Sequence, residues 1–166
     1  NSPNRIFRRP LLTFFLLFPR TSRATFRVKK AINAKAIALF ARGYFNLYRY
    51  FDENAYLEKS LSCLDWLEEK YSKGYSGYCW GYPFDWLSGR KYFFPKKTPS
   101  GVVSSIVGHA FLDGYDILKE ERYLKVAESV CSFITNDLTT KFFNGNICFS
   151  YTPLDDYEVL NANLWC

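Results

Sequence analysis

The groups in this chain best placed to move protons are three carboxylates and one imidazole: Asp85, Asp155, Asp156 and His109. Asp85 sits near the end of Tyr78-Cys79-Trp80-Gly81-Tyr82-Pro83-Phe84-Asp85-Trp86, a run in which every second residue is aromatic. A period of two puts five rings on one face of an extended segment, with small or acidic groups on the other. Rings beside carboxylates suit a sugar, whose apolar face stacks while its hydroxyls take hydrogen bonds. Glycoside hydrolysis needs two carboxyl groups roughly 5 to 9.5 Å apart. Asp85 and either Asp155 or Asp156 hold similar places in two successive blocks, so they could face one cavity. The competing reading makes Asp155-Asp156 an N-cap before a helix. His109 is either a proton shuttle or an ordinary hydrogen-bonded helix residue. Trp80, Tyr82 and Trp86 form the expected stacking platform, with Tyr151 as the second-block counterpart of Tyr82. The plainer alternative is that these rings plug the end of a helical core. Ser104-Ser105 could hold an anion or hydroxyl but lack a nucleophile context.

The elements that must position these groups are repeated. Tyr48, Tyr56-Leu57 and Trp66-Leu67 recur 67 residues later as Tyr115, Tyr123-Leu124 and Phe133-Ile134. Beyond the helices the offset grows to 69, pairing Cys79-Trp80 with Cys148-Phe149 and Tyr82 with Tyr151. Such periodicity signals stacked units. Each block reads as two helices and an extended aromatic loop. The first helix spans about 33–50, with a stripe of Ile37, Phe40, Ala41, Tyr44, Leu47, Tyr48 and Phe51. Asp52 is placed to cap the second, whose stripe is Leu57, Leu61, Leu64 and Leu67. Helices over 101–118 and 121–137 follow, the latter with Tyr123, Leu124, Ala127, Cys131 and Ile134 inward. Short joints make each pair an antiparallel hairpin. Gly74, Gly77, Gly81 and Asn144-Gly145-Asn146 end helicity, so the aromatic loops share one end of the bundle. The fold class expected is all-α: antiparallel helical hairpins of a partial (α/α) toroid. Its first repeat covers about 33–100, its second about 101–156, and a third begins at 157.

Composition narrows the functions. The net charge is +6, but residues 1–30 hold eight bases and no acid, leaving 14 basic against 16 acidic residues beyond them. A nearly neutral body argues against nucleic-acid binding through a basic face. In the arm 1–30, Leu11–Phe18 is far short of the roughly 20 residues of a membrane span. An irregular segment packed on the body is expected there, with peripheral lipid contact as the alternative. Five cysteines without close pairs, and a single histidine, point to free thiols in a reducing, cytoplasmic setting and to no metal. No phosphate loop or dinucleotide motif is present, so no cofactor is expected.

GYSGYCWGYPFDW (74–86), FFPKKTPSGVVSSIVGHAFLDGYDI (93–117) and CFSYTPLDDYEVLNANLWC (148–166) resemble a family of polysaccharide-biosynthesis-associated proteins within the six-hairpin glycosidase-like toroid group. INAKAIALFARGYFNLYRYFDENAYLEKS (32–60) fits that family's first hairpin. The resemblance implies a truncated N-terminal portion of a longer chain and a saccharide or nucleotide-sugar-derived ligand. Where the family is expected to read His-Asn-Ala-Asn, this chain has Leu160-Asn161-Ala162-Asn163; Asn161 in that motif joins the binding candidates. The rival class is a non-catalytic helical-repeat scaffold that binds a partner protein through the aromatic loops. The helices at 34–50 and 101–118 look apolar on more of their circumference than two hairpins can bury, so aggregation, self-association or a need for the rest of the chain is expected.

Overall fold

The computed structural model describes residues 5–88, 92–143 and 145–166, which fall into two compact units divided after Ala31. Asn144 of the expected turn lies outside the described residues.

The first unit contains α1 (Arg5–Leu17) and α2 (Pro19–Thr25). This arm is helical, not irregular. A proline in the second turn of α1 forfeits one hydrogen bond, while the Leu and Arg residues around it are good helix formers. Within the unit, the Phe15 and Phe26 rings lie 5.0 Å apart.

The second unit is all-α but for two short hairpins. Its order is α3 (Ala34–Phe51), α4 (Asn54–Glu69), β1 (Trp86–Ser88), β2 (Tyr92–Phe94), α5 (Gly101–Leu118), α6 (Glu121–Asp137), β3 (Thr140–Phe143), β4 (Asn146–Phe149) and α7 (Leu160–Asn163). Both strand pairs are antiparallel, with Trp86 opposite Phe94 and Thr140 opposite Phe149. Asn33 opens α3 by accepting from Lys35 N at 3.0 Å, and Ser100 opens α5 by accepting from Val103 N at 3.3 Å. Each side chain satisfies one of the amides a helix start leaves orphaned.

The repeat extends to the backbone. Asp52 and Lys119, 67 residues apart, both take left-handed φ values, 55° and 56°. Each donates its N–H to a carbonyl four residues back, on Tyr48 and Tyr115. Asp52 therefore ends α3; Glu53 precedes α4 with no side-chain cap. A non-glycine residue at such a position carries strain. Lys119→Gly is therefore expected to raise stability by about 0.5–1 kcal/mol in urea unfolding. An unchanged or lower midpoint would contradict it.

Helix α5 is the axis of the unit, packed against α3, α4, α6 and α7. Arg42 Nε donates to Asp113 Oδ2 at 2.8 Å, tying α3 to α5. The face α3 buries is Ala34, Ala38, Ala41 and Phe45, not the stripe of larger residues. Phe40 is 59% exposed, and Leu39, Leu47 and Phe51 are exposed too. Small residues let two helix backbones approach, which is why the alanines won. On α5 the reverse holds: Val102, Val103, Ile106, Val107 and Phe111 are all buried, and only Leu112 of the suspected excess is exposed, at 38%. On α6 Val126, Val130 and Phe133 join Tyr123, Ala127 and Ile134 in the core, while Cys131 faces solvent.

Candidate functional site at the aromatic loops

The loop after α4 is strapped onto the helices before it reaches the surface. Ser72 N donates to Cys79 O at 2.8 Å, closing a lobe over residues 72–79. Tyr78 N donates to Ser129 Oγ at 2.9 Å, and Ser76 N to Asp137 Oδ2 at 2.9 Å, both on α6. Gly77 presses on α6 so closely that a Cβ there would lie 1.8 Å from Ser129 O. The chain then dives inward at Trp80, which is 1% exposed. Its ring stacks on Tyr78 at 6.0 Å and on Phe111 at 6.2 Å, and Nε1 donates to Leu67 O at 2.9 Å. Trp80 is thus a core residue; its face is not offered to a ligand.

A pair of latches was not visible in the sequence. Ser104, the fourth residue of α5, accepts from Trp80 N at 3.0 Å and approaches Trp80 O at 3.5 Å. Asn163, the fourth residue of α7, accepts from Phe149 N at 2.6 Å and donates to Phe149 O at 3.0 Å. Trp80 and Phe149 are the counterparts in the repeat. In each block a polar side chain one turn into the next helix therefore grips both backbone groups of the ring-bearing residue. Leu160-Asn161-Ala162-Asn163 does structural work through its last residue, while Asn161 is exposed. The cue was the position of Asn163 relative to the helix start, matched by Ser104.

Past Gly81 the loop rises to the surface, where the two blocks meet. Tyr82 stacks on Phe84 at 5.4 Å and meets Trp86 edge-on at 6.3 Å. Trp86 stacks on Phe94 at 4.3 Å and touches Tyr151 edge-on at 5.6 Å. Burial, then the neighbouring Tyr82 hydroxyl, raises the pKa of Tyr151 and keeps the phenol protonated. Tyr92 lies 4.6 Å from Tyr157 and donates to Asp156 Oδ1 at 2.6 Å. The result is an aromatic surface of half-buried rings with Phe84 exposed, seated on the buried Phe94, with phenol hydroxyls on it and charged groups at its edge.

The carboxylates divide sharply. Asp155 is 5% exposed and accepts from Tyr151 N, Thr152 N, Thr152 Oγ1 and Tyr157 N at 2.6 to 3.1 Å. It folds the turn at 152–157; it does not cap α7, which starts at Leu160. With both oxygens committed it has no lone pair directed at a ligand. Asp156 is exposed, with Lys141 Nζ 3.6 Å from its Oδ2. Asp85 is exposed, and one oxygen accepts from Lys96 N at 2.6 Å. His109 lies away from this end, exposed on α5 with its ring 6.3 Å from Trp165. Among the described residues no set of three or more His, Cys, Asp or Glu gathers as metal ligands.

Cys79 and Cys148 are buried, Cys131 and Cys166 are exposed, and all five thiols are free. Burial, assisted by the Asp137 charge, pushes Cys79 from its ordinary 9.0 up to about 12. Between those values the unfolded chain binds fewer protons than the folded one, so stability falls as pH rises through this window. Folding stability measured by urea unfolding is expected to fall from pH 9 toward 12, with a shallower slope in Cys79→Ala. An identical slope would remove Cys79 as the cause.

The sequence matches no family model and no curated protein. The fold does have solved relatives. A family 76 glycoside hydrolase from a bovine Bacteroides thetaiotaomicron strain superposes with TM-score 0.52 at 16% identity, over 75% of this chain and 28% of that one. A glycoside hydrolase family 76 mannosidase from Bacteroides thetaiotaomicron VPI-5482 gives 0.52 at 15% identity, over 74% and 34%. The chain thus spans about a third or less of either protein. The all-α hairpin architecture expected of an (α/α) toroid is the one observed. Among the described residues no helix is long and apolar enough to cross a membrane.

Proposed function

We propose that this chain is a saccharide-binding part of a protein that processes polysaccharide. The observation that carries this is the aromatic surface where Tyr82 and Tyr151, counterparts in the repeat, both meet Trp86 edge-on. Rings of this kind offer apolar faces to a sugar, and the phenols meet its hydroxyls. The similarity in fold to family 76 glycoside hydrolases supports a role in carbohydrate processing, and the sequence resemblance described above supports a link to polysaccharide biosynthesis. In this reading Asp85 and Asp156, exposed at the edge of the rings, are the carboxylates within reach of a bound sugar. Trp86 supplies the stacking face that Trp80 cannot.

The test is an oligosaccharide array, with mannose-containing chains included, probed with the wild-type protein and with Trp86→Ala. Loss of one stacked ring is expected to weaken binding about tenfold. Absence of binding to every glycan, or binding indifferent to Trp86, would overturn the proposal in favour of a scaffold that binds protein.

A further inference from the structure

Beside the aromatic surface lies a cleft that the reading above does not use. Its volume is about 490 Å³, and it is lined by Tyr71, Ser72, Lys73, Tyr75, Lys96 and Lys97. That volume falls within the roughly 300–1,000 Å³ typical of ligand sites. Glu69 also borders it, but its carboxylate is held by Lys70. Among the described residues Lys73, Lys96 and Lys97 have no carboxylate partner. Three lysines against one glutamate give the lining of this cleft an excess of positive charge, which suits it to an anion.

The loop geometry holds two of these lysines in place. Lys97 takes a left-handed φ of 67°, its N–H donates to Tyr82 O at 2.7 Å, and its carbonyl accepts from Ser72 Oγ at 2.9 Å. Lys96 N donates to Asp85 Oδ1 at 2.6 Å. The backbone bonds that fix Lys96 and Lys97 therefore run to Tyr82 and Asp85, the start and edge of the aromatic surface. The phenols of Tyr71 and Tyr75 give the same cleft apolar walls with hydroxyls. A smaller cavity of about 140 Å³ shares Ser72 and Lys97 with it and adds Lys70.

We infer that this cleft receives the anionic group of an acidic saccharide, a ring carboxylate or a phosphate ester, while neighbouring sugar units lie on the aromatic surface. The inference rests on the saccharide-binding reading and names its substrate class. Calorimetric titration of the 166-residue protein at low salt compares four probes: a neutral oligosaccharide, the same chain with one uronate, the same chain with one phosphate ester, and inorganic phosphate. At least one acidic chain is expected to bind about tenfold tighter than the neutral one. Which of the two wins identifies the anion. The preference is expected to vanish in Lys73→Gln with Lys96→Gln, to survive in the corresponding arginine variants, and to shrink in high salt. The salt arm needs no variant, so it decides the matter even where a substitution impairs folding. Equal affinity for neutral and acidic chains would overturn the inference while leaving saccharide binding intact. So would a lysine variant that weakens both alike, or inorganic phosphate that binds as tightly as the phosphorylated chain. Failure of all the oligosaccharides would instead overturn the proposed function itself.

Discussion

Replacing Trp80 by alanine is expected to cost about 3–5 kcal/mol of folding stability, the usual range for a fully buried large aromatic. The residue is 1% exposed, stacks on Tyr78 and Phe111, and its indole N–H reaches Leu67 O at the end of α4. It therefore bonds the aromatic loop to both helical hairpins at once. Truncation empties a site bounded by α4 and α5, whose backbones cannot collapse inward without disturbing Leu64, Leu67 and Val107. Against a total of roughly 5–15 kcal/mol for a domain, such a loss threatens folding at growth temperature. Urea unfolding followed by far-UV circular dichroism measures it, with Trp86→Ala as the comparison. Trp86 is half-buried at the surface and should cost less than half as much, while it weakens sugar binding more. Equal costs, or a Trp80→Ala protein as stable as wild type, would show that the loop does not brace the core.

These two tryptophans show how much of the site was legible in the sequence. Alternation at period two treats Tyr78, Trp80, Tyr82, Phe84 and Trp86 alike, because it assumes one straight extended segment. The chain is not straight. It enters the core at Trp80, crosses Thr98 at Gly81 and returns to the surface, so one ring of the five turns inward. What the repeat did convey was correspondence: Tyr82 with Tyr151, both edge-on to Trp86, and Cys79 with Cys148, both buried. It also gave the boundaries of α5, since Ser100 after Pro99 is a strong helix start. It did not give the inner face of α3. Phe40, Tyr44, Leu47 and Phe51 keep the same 4-3-4 spacing as Ala34, Ala38, Ala41 and Phe45, and hydrophobicity alone favours the larger residues. Close packing of α3 on α4 and α5 selects the smaller ones, and that is a property of the packed helices rather than of any one of them. Asp155 departs from the expected helix cap for a related reason. Its sequence context fits a helix cap, yet its four donors come from a turn whose shape the local sequence does not announce.

The second large effect is expected at Gly81. A Cβ built there would lie 2.0 Å from Thr98 O, 2.5 Å from Thr98 C and 2.8 Å from Lys97 C. These are backbone atoms, so no side chain can swing aside to make room. Gly81 also forms a bridge to Pro99, flanked by Lys97 N to Tyr82 O at 2.7 Å and Ser100 N to Trp80 O at 3.1 Å. Gly81→Ala must separate these two segments and break the hydrogen bonds between them. Overpacking of about 1–3 kcal/mol, added to buried groups left without partners at a similar cost, predicts a loss of about 3–5 kcal/mol. The substitution should also shift Tyr82 and Lys97 together, weakening saccharide binding well beyond what Trp86→Ala does alone. Gly43 supplies the control. It lies within α3 with nothing inside 4 Å of a Cβ, so Gly43→Ala should instead stabilise by about 0.5–1 kcal/mol through helix propensity. Opposite signs for the same chemical change at two glycines would locate the constraint in the contact between the aromatic loop and the 97–100 segment. If Gly81→Ala unfolds at the wild-type midpoint and binds sugar normally, that contact is not what holds the site together.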